Sequence, residues 1–260
     1  MKPALFPPRL SMRFVHVWRR NLLVWRKLAV PSVLGNLADP MIGLFGLGYG
    51  LGAVLPEVAG GPYIGFLAAG MVLSSTMYAA SFEAMYSAFS RLQHQKTWEA
   101  ILSTPLTVDD VILGEMVWAA SKATLSGVAI LLVATALGVV GSPLALAALP
   151  VILLMGLAFG AIGLIWTALA PSYDFFMYYF TLVMTPMTFI SGVFFPLEQL
   201  PEALRWISQA LPLYHGVALV RALFGGEIPA LWWLHLAVPM AYAAGGFCIA
   251  LALARRRLMK

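Results

Sequence analysis

Charge is scarce in this chain. Asp, Glu, Lys and Arg make up 10% of its 260 residues, and 61% are hydrophobic. A water-soluble domain carries about 25% charged and about 45–50% apolar residues, so the composition excludes one and places the chain in a membrane. Cysteine is nearly absent: Cys248 stands alone inside an apolar stretch, which excludes a disulfide framework and a thiolate metal site. No GxxxxGK[ST] phosphate loop and no GxSxG nucleophile pattern occurs, so any ATP this protein uses must be bound by another chain. The histidines His16, His94, His215 and His235 fall in loops or near the ends of apolar runs, a poor basis for a metal cluster or His-based catalysis. The beginning of the chain is basic and lacks a short apolar core followed by a small-residue cleavage site. No cleaved leader is therefore expected, and the first span should stay as an anchor.

What is present is long apolar sequence. Stretches 40–56, 58–82, 123–173, 175–197 and 228–254 hold no Asp, Glu, Lys or Arg, and a spanning helix needs about 20 apolar residues. The longest must divide, and Gly141-Ser142-Pro143 is the breaker near its middle. Six spans follow, at 31–55, 63–82, 108–139, 144–170, 175–195 and 231–253. Helices are expected rather than a barrel, whose strands would alternate over about ten residues. Seven Lys or Arg precede the first span, three fall near the second and third, and four end the chain, against only Arg205 and Arg221 on the other side. The positive-inside rule then places both termini in the cytoplasm. Although the formal charge is +5, this distribution favours a membrane over nucleic acid. The expected domains are a cytoplasmic N-terminus and interface helix over 1–30, a transmembrane domain over 31–254 and a basic tail over 255–260.

Three segments outside the spans carry information. Arg13, Arg20 and Lys27 recur every seven positions, and Phe14, Trp18, Leu22 and Trp25 follow at steps of four, four and three. One helix face is basic and the other aromatic, as in a helix lying at the headgroup layer. It serves as a topology anchor or as an element that moves with a cytoplasmic partner. The loop over 83–107 holds a mixed-charge helical pattern from Arg91 to Leu102, including Lys96, Trp98 and Glu99. It reads either as a solvated connector or as a short helix that inserts Trp98 and Leu102 into a groove on a partner. Thr107 and Asp110 fit a capping pattern opening the third span, with Asp109 and Asp110 where a helix N-terminus favours negative charge. On the outer side, residues 194–212 read as two short apolar helices broken by proline, with Pro196, Leu200, Pro201, Trp206 and Pro212 as markers. Backbone of that kind survives at membrane depth only when buried in protein or lining a watery cavity, so a re-entrant hairpin is expected.

Within the spans, Thr181, Thr185, Thr188 and Ser191 recur at steps of four, three and three, with Met184 and Met187 alongside. Such a face packs against another helix or lines a pathway. Gly46/Gly50, Gly48/Gly52 and Gly156/Gly160 have small-residue spacing for close helix contact. Charges inside the spans are costly. Asp39 is expected to pair with an interfacial Arg or to satisfy backbone freed by Pro40; Glu83 stands at the inner end of the second span, and Glu115 and Lys122, seven apart on one face of the third, are expected to form structural ion pairs to neighbouring helices. No chain of acids and histidines suits a proton relay, which disfavours an ion-coupled secondary transporter.

Several runs then resemble one family: Val17-Trp18-Arg19-Arg20-Asn21-Leu22-Leu23-Val24-Trp25-Arg26-Lys27, Leu34-Gly35-Asn36-Leu37-Ala38-Asp39-Pro40, Thr97-Trp98-Glu99-Ala100-Ile101, Pro105-Leu106-Thr107-Val108-Asp109-Asp110, Ala170-Pro171-Ser172-Tyr173-Asp174-Phe175-Phe176 and Ser191-Gly192-Val193-Phe194-Phe195-Pro196. In order and spacing, over nearly all the chain after residue 12, they are similar to ABC-2 permeases of the nodulation protein J type. The resemblance implies an all-α protein of six transmembrane helices with an interface helix, a coupling helix and an outer re-entrant hairpin. It implies the membrane half of an exporter, a homodimer with two copies of a separate ATPase. ATP and magnesium would sit on that partner, with no cofactor on this chain. By that pattern Arg13, Trp18, Arg20, Trp25 and Lys27 belong to the interface helix, and Arg91, Lys96, Trp98, Glu99 and Leu102 couple to the ATPase. Thr181, Met184, Thr185, Thr188 and Ser191 are expected to line the pathway. The implied cargo is an amphiphile such as a lipo-oligosaccharide, with another lipid or a drug as the alternative. Other partners are membrane lipid but not nucleic acid, and the implied location is the bacterial inner membrane.

Overall fold

The computed structural model describes residues 7–58 and 60–258. The side chains of Asn36 and Asp39 lie outside the described residues, and with them the pairing expected of Asp39. The fold is helical apart from a two-residue antiparallel ladder in which Glu57 pairs with Pro62 and Val58 with Gly61 (β1, Glu57–Val58; β2, Gly61–Pro62). The helices are α1 (Phe14–Arg26), α2 (Ala29–Gly50), α3 (Tyr63–Phe82), α4 (Thr97–Leu102), α5 (Val108–Ala136), α6 (Ala148–Leu169), α7 (Phe175–Tyr179), α8 (Thr185–Ile190), α9 (Glu202–Ala210), α10 (Pro212–Gly225) and α11 (Trp232–Leu258). Among the described residues five helical runs are long and apolar enough to cross a membrane: Ala29–Gly50, Tyr63–His94, Val108–Ala136, Pro143–Leu169 and Trp232–Leu258. A shorter apolar run covers Phe175–Ile190.

The long runs pass back and forth between two ends of one bundle. At one end, the start of α5 meets the last turn of α11 through Asp109 and Arg255, and α1 lies across it. At the other, the start of α3 touches the segment after α8, where the Tyr63 hydroxyl donates to the Phe194 carbonyl at 3.1 Å. The end of α10 meets the turn before α6 there, with the Gly141 N–H on the Phe224 carbonyl at 3.0 Å. The first end carries α1, α4 and most of the basic residues and is called the basic end below.

Local signals set several boundaries. Thr107 and Asp110 form a reciprocal capping box at the start of α5, as their spacing predicts. Ser142 and Pro143 open a 3-10 turn, Pro143–Ala147, that leads into α6. The α5–α6 contact depends on small residues, because a Cβ on Gly156 would lie 3.0 Å from the Ala120 Cα and one on Gly160 would lie 3.4 Å from the Met116 carbonyl oxygen. Gly46 and Gly50 meet nothing within 4 Å, so that pair makes no close contact within the chain. Gly156→Leu should overpack the α5–α6 seam and cost about 1–3 kcal/mol. A thermal melt of the purified protein checks this, and an unchanged midpoint would mean that the seam is loose.

Three departures from the sequence reading are instructive. The second span does not end at Phe82; helix continues through π turns at Glu83–Ser87 and Ser90–His94. The Thr167 hydroxyl of α6 donates to the Ala84 carbonyl at 2.6 Å inside the first of these turns, giving that carbonyl a partner outside its own helix. Residues 255–258, expected as a tail, form the last turn of α11 and are docked: the Arg257 guanidinium donates to the Thr167, Ala168 and Ala170 carbonyls at 2.9–3.1 Å, capping the end of α6. Finally, the sequence reading left α10 out. At 14 residues, with His215 and Arg221 inside, it is too short and too polar to register as a span, yet most of it is buried.

Candidate functional site

At the basic end, two carboxylates and two cations form one buried network. The Arg91 guanidinium donates to both oxygens of Glu115, Nε at 2.9 Å and Nη2 at 2.6 Å, and Nη2 also reaches Glu83 at 2.9 Å. The Lys122 ammonium completes it at 2.9 Å from Glu83. Further donors converge from three helices: Trp118 on Glu83 at 2.8 Å, Trp98 on Glu115 at 3.0 Å and Asn21 on Glu115 at 3.1 Å. Burying a charge is tolerable only when it is paired and its remaining lone pairs are filled, and each of these carboxylates meets that condition. One cluster thus ties α1, the extension of α3, α4 and α5 together. The ion pairs expected of Glu115 and Lys122 are present, with Arg91 and Glu83 as their partners, neither of which the spacing of charges in the sequence identifies.

The expected coupling segment needs correction. The pattern from Arg91 to Leu102 is not one helix: Arg91 sits in the π-helical extension of α3 and is 8% exposed. Trp98 is 1% exposed, with its indole N–H on Glu115, so it does not reach out to a partner's groove. The helix itself is only α4, turned away from the α3 extension at Lys96, which adopts a left-handed φ of 53°. Lys96 and Glu99 lie on its outer face and pair with each other at 3.0 Å, and Leu102 is half-buried. The residues of α4 free to meet another protein are therefore Lys96, Glu99 and Ala100, while Trp98 anchors the helix from below.

The N-terminal helix is equally attached. In α1, Val17 and Asn21 are buried against α5, and the Trp18 indole donates to the Ser121 hydroxyl at 3.0 Å. Trp25 stands edge-on to Trp118 with ring centres 5.9 Å apart. Arg13 reaches the Pro105 carbonyl at 2.8 Å, while Lys27 is exposed. Arg20 faces inward, where its guanidinium donates to Asn21 at 2.9 Å and Thr97 at 3.4 Å. Burial pulls the Arg20 pKa below its ordinary value and the neighbouring Arg91 charge adds to this, with Glu115 opposing.

One cavity opens beside this network and a second lies farther along the bundle. The first, about 630 Å³, lies under α1 and is lined by Arg20, Trp25, Tyr86, Ser90, Gln95 and Tyr173 among others. The second, about 400 Å³, lies between α2, α3 and α8 and is mostly apolar, with Gly43, Leu47, Met71, Tyr78, Phe82 and Phe189 in its wall. Of the five expected pathway residues, Thr185 and Thr188 line this second cavity. Thr181 is exposed away from it, and Met184 and Ser191 are fully buried. The physical reason is a π turn at Phe180–Met184, which breaks the 3.6-residue register that would have aligned the five. The Thr185 hydroxyl accordingly donates to the carbonyl five residues back, Phe180, at 2.9 Å.

At the opposite end the proline-marked segment is built as two arms. Pro196 precedes a 3-10 turn, Leu197–Gln199; Leu200 and Pro201 lead into α9, and Pro212 opens α10. Near the Leu211–Pro212 bend the Tyr242 hydroxyl of α11 donates to the exposed Ala210 carbonyl at 3.0 Å, and one turn into α10 Gly216 packs against Leu73 and Met155. Trp206 is 67% exposed on the outer face of α9. Arg221 bolts α10 to its surroundings, donating to the Phe66 and Gly192 carbonyls at 3.2 and 2.7 Å with its guanidinium 3.6 Å from the centre of the Phe66 ring.

Comparison with known proteins settles the family. Residues 12–224 match the ABC-2 type transporter family. The chain belongs to that family. The permease is 51% identical over 253 residues to the nodulation protein J of Rhizobium leguminosarum bv. viciae, covering 97% of this chain and 98% of that protein. It is 49% identical to the nodulation protein J of Rhizobium meliloti (strain 1021), over 97% of this chain and 96% of the other. A more distant relative, 24% identical over 80% of this chain and 79% of its own length, is the inner membrane transport permease YadH of Escherichia coli (strain K12).

The permease is thus a multi-pass membrane protein that works with a partner ATPase subunit and is not itself the ATPase. At the basic end the short helix α4 is tied to α5 through the Trp98–Glu115 hydrogen bond and, through Arg91 on the same carboxylate, to the extension of α3.

Proposed function

We propose that this permease is the membrane half of an ATP-driven exporter that moves a lipo-oligosaccharide out of the cytoplasm across a bacterial inner membrane. The observation that carries this reading is the likeness to nodulation protein J, near half identity over almost the full length of both chains. The bundle supports it. The run over Phe175–Ile190 serves as the sixth crossing, so that both termini fall on the basic, cytoplasmic end. Residues 1–30 are the cytoplasmic N-terminus with its interface helix, 31–254 the transmembrane domain and 255–260 a basic cytoplasmic C-terminus. The arms α9 and α10 act as a re-entrant hairpin at the outer face, with Trp206 at the headgroup layer.

Two copies of the chain work with two copies of the ATPase, which hold ATP and magnesium. The nearly uncovered surface of α2, with Phe45 and Tyr49 exposed and stacked 6.1 Å apart, supports a second copy packing there. ATP-driven closure of the ATPase pair moves α4 through its exposed Lys96 and Glu99, and the network around Arg91 carries that motion to α1, α3 and α5. The apolar cavity with Thr185 and Thr188 belongs to the pathway. An ion-coupled mechanism is disfavoured because the buried acids Glu83, Asp109 and Glu115 are ion-paired and a fourth, Asp110, is held in the capping box of α5.

Purification through a tag on the permease alone tests the assembly. The expected result is co-purification of the ATPase with hydrolysis, weakened by reversing both exposed charges, Lys96→Glu with Glu99→Lys. Full retention of the ATPase in that double variant would move the contact away from α4.

A further inference from the structure

The two cavities lie in order along one helix face. Tyr78, Phe82, Tyr86 and Ser90 recur at steps of four on α3 and its extension; the first two line the apolar cavity and the last two the polar one. The Phe82 and Tyr86 rings stack 5.2 Å apart, and Phe180, 6.3 Å from Tyr78, joins Tyr78 to them in one aromatic strip. The Phe180 ring lies 4.5 Å from Phe82 and 6.0 Å from Tyr86. The polar cavity sits at the basic end under α1, and the apolar one lies farther along the bundle toward its middle.

The linings differ in chemistry as well as position. The polar cavity combines flat aromatic faces with short hydrogen-bonding groups: Trp25 and Tyr173, then Ser87, Ser90 and Gln95. Tyr173 stacks nearly parallel on Tyr86, with ring centres 5.8 Å apart. Sugar rings present C–H faces that pack on such surfaces and hydroxyl edges that need donors and acceptors. Arg20 adds a multi-donor guanidinium that donates to the Asn21 amide oxygen and the Thr97 hydroxyl. The apolar cavity has the methylene-rich wall an acyl chain requires, with Met71 and Leu47 beside Phe82 and Phe189.

We propose that the two cavities form one bipartite loading site for a singly acylated short oligosaccharide taken from the cytoplasmic leaflet. The sugar head lies under α1 against Arg20, Gln95 and Tyr173. The acyl chain runs along the Tyr78–Phe82–Tyr86 strip into the cavity between α2, α3 and α8. An amphiphile in that leaflet already has its head at the cytoplasmic surface and its tail toward the midplane, so it enters without inverting. Because α1 roofs the head site and is joined to α4 through Arg20, Thr97 and the Glu115 network, coupling to the ATPase and release of the head use the same contacts. The proposal rests on the export reading above.

The test uses the full-length permease in lipid nanodiscs and three probes: an N-acylated chitotetraose, chitotetraose itself and the free fatty acid. Arg20→Gln with Gln95→Ala, which changes groups that are not fully buried, is expected to weaken binding of the acylated probe and of chitotetraose by about tenfold, the value of one or two lost hydrogen bonds. Fatty acid binding should not change. Thr185→Trp fills the apolar cavity from an exposed position and is expected to do the reverse, weakening the acylated probe and the fatty acid but not chitotetraose. Loss of all three probes in either variant, or wild-type binding of the acylated probe in both, would overturn the bipartite site. ATP-driven transport of the acylated probe, measured in parallel with the wild-type complex, separates the two levels. Transport without binding at these cavities sinks the loading site alone, and absence of both binding and transport sinks the export reading beneath it.

Discussion

Arg91→Met is expected to lower the stability of the purified permease by about 3–5 kcal/mol, the cost of leaving a buried charge without its partner, and to abolish ATP-driven export. The arginine makes three charge-assisted bonds to two carboxylates. Methionine preserves much of the volume but leaves Glu115 with only the neutral donors Trp98 and Asn21. Glu83 still has Lys122, so most of the damage falls on Glu115. Arg91→Lys should be milder yet still measurable, because an ammonium cannot reproduce the two-pronged grip on Glu115. Thermal melts of both variants check the order. A melting midpoint for Arg91→Met equal to wild type would show that the network contributes nothing to stability.

Gly114→Leu is expected to pry α1 off the bundle. A Cβ at this position would lie 2.6 Å from the Val17 Cβ and 2.9 Å from the Phe14 carbonyl oxygen, a backbone atom that cannot rotate away. Overpacking of this kind costs about 1–3 kcal/mol, and the cheapest relief is to move the short helix rather than the long one. Displacement of α1 breaks the Asn21–Glu115 and Trp18–Ser121 hydrogen bonds. Trypsin should then cut faster after Arg19 and Arg26, and the partner ATPase should hydrolyse ATP with little export. Wild-type cleavage kinetics and full export would mean that α1 is only a passive anchor.

How much of this was legible beforehand follows from the kind of interaction involved. Local signals read well. The Thr107–Asp110 capping box, the Ser142–Pro143 break and the start of α3 at Tyr63 depend on residues within a turn of one another, and each is where the sequence places it. The amphipathic α1 was legible too, although its buried face centres on Val17 and Asn21 rather than on the tryptophans alone.

Long-range pairings were only half legible. Intramembrane charges announce that partners must exist, and the pairing expected of Glu115 and Lys122 is present. Nothing in the sequence says that Arg91 is the partner of Glu115, because its helical surroundings from Gln93 to Glu99 read as solvated. Trp98 was misplaced for the same reason. A tryptophan on a short polar helix looks like an anchor for another protein until the carboxylate beneath it is seen. The π turns erase the spacing argument for Thr181 and Met184, since one wider turn rotates every later residue relative to the earlier ones. The helix α10 escaped because a buried helix of 14 residues has neither the length of a span nor the polarity of a loop.

The central claim is ATP-driven export of a lipo-oligosaccharide by this permease with its ATPase. Inside-out vesicles carrying both subunits, offered a radiolabelled lipo-oligosaccharide, test it most directly. The account predicts accumulation that requires ATP, persists when the proton gradient is dissipated and disappears in Arg91→Met. Accumulation without ATP, or its collapse with the proton gradient while ATP is present, would contradict it.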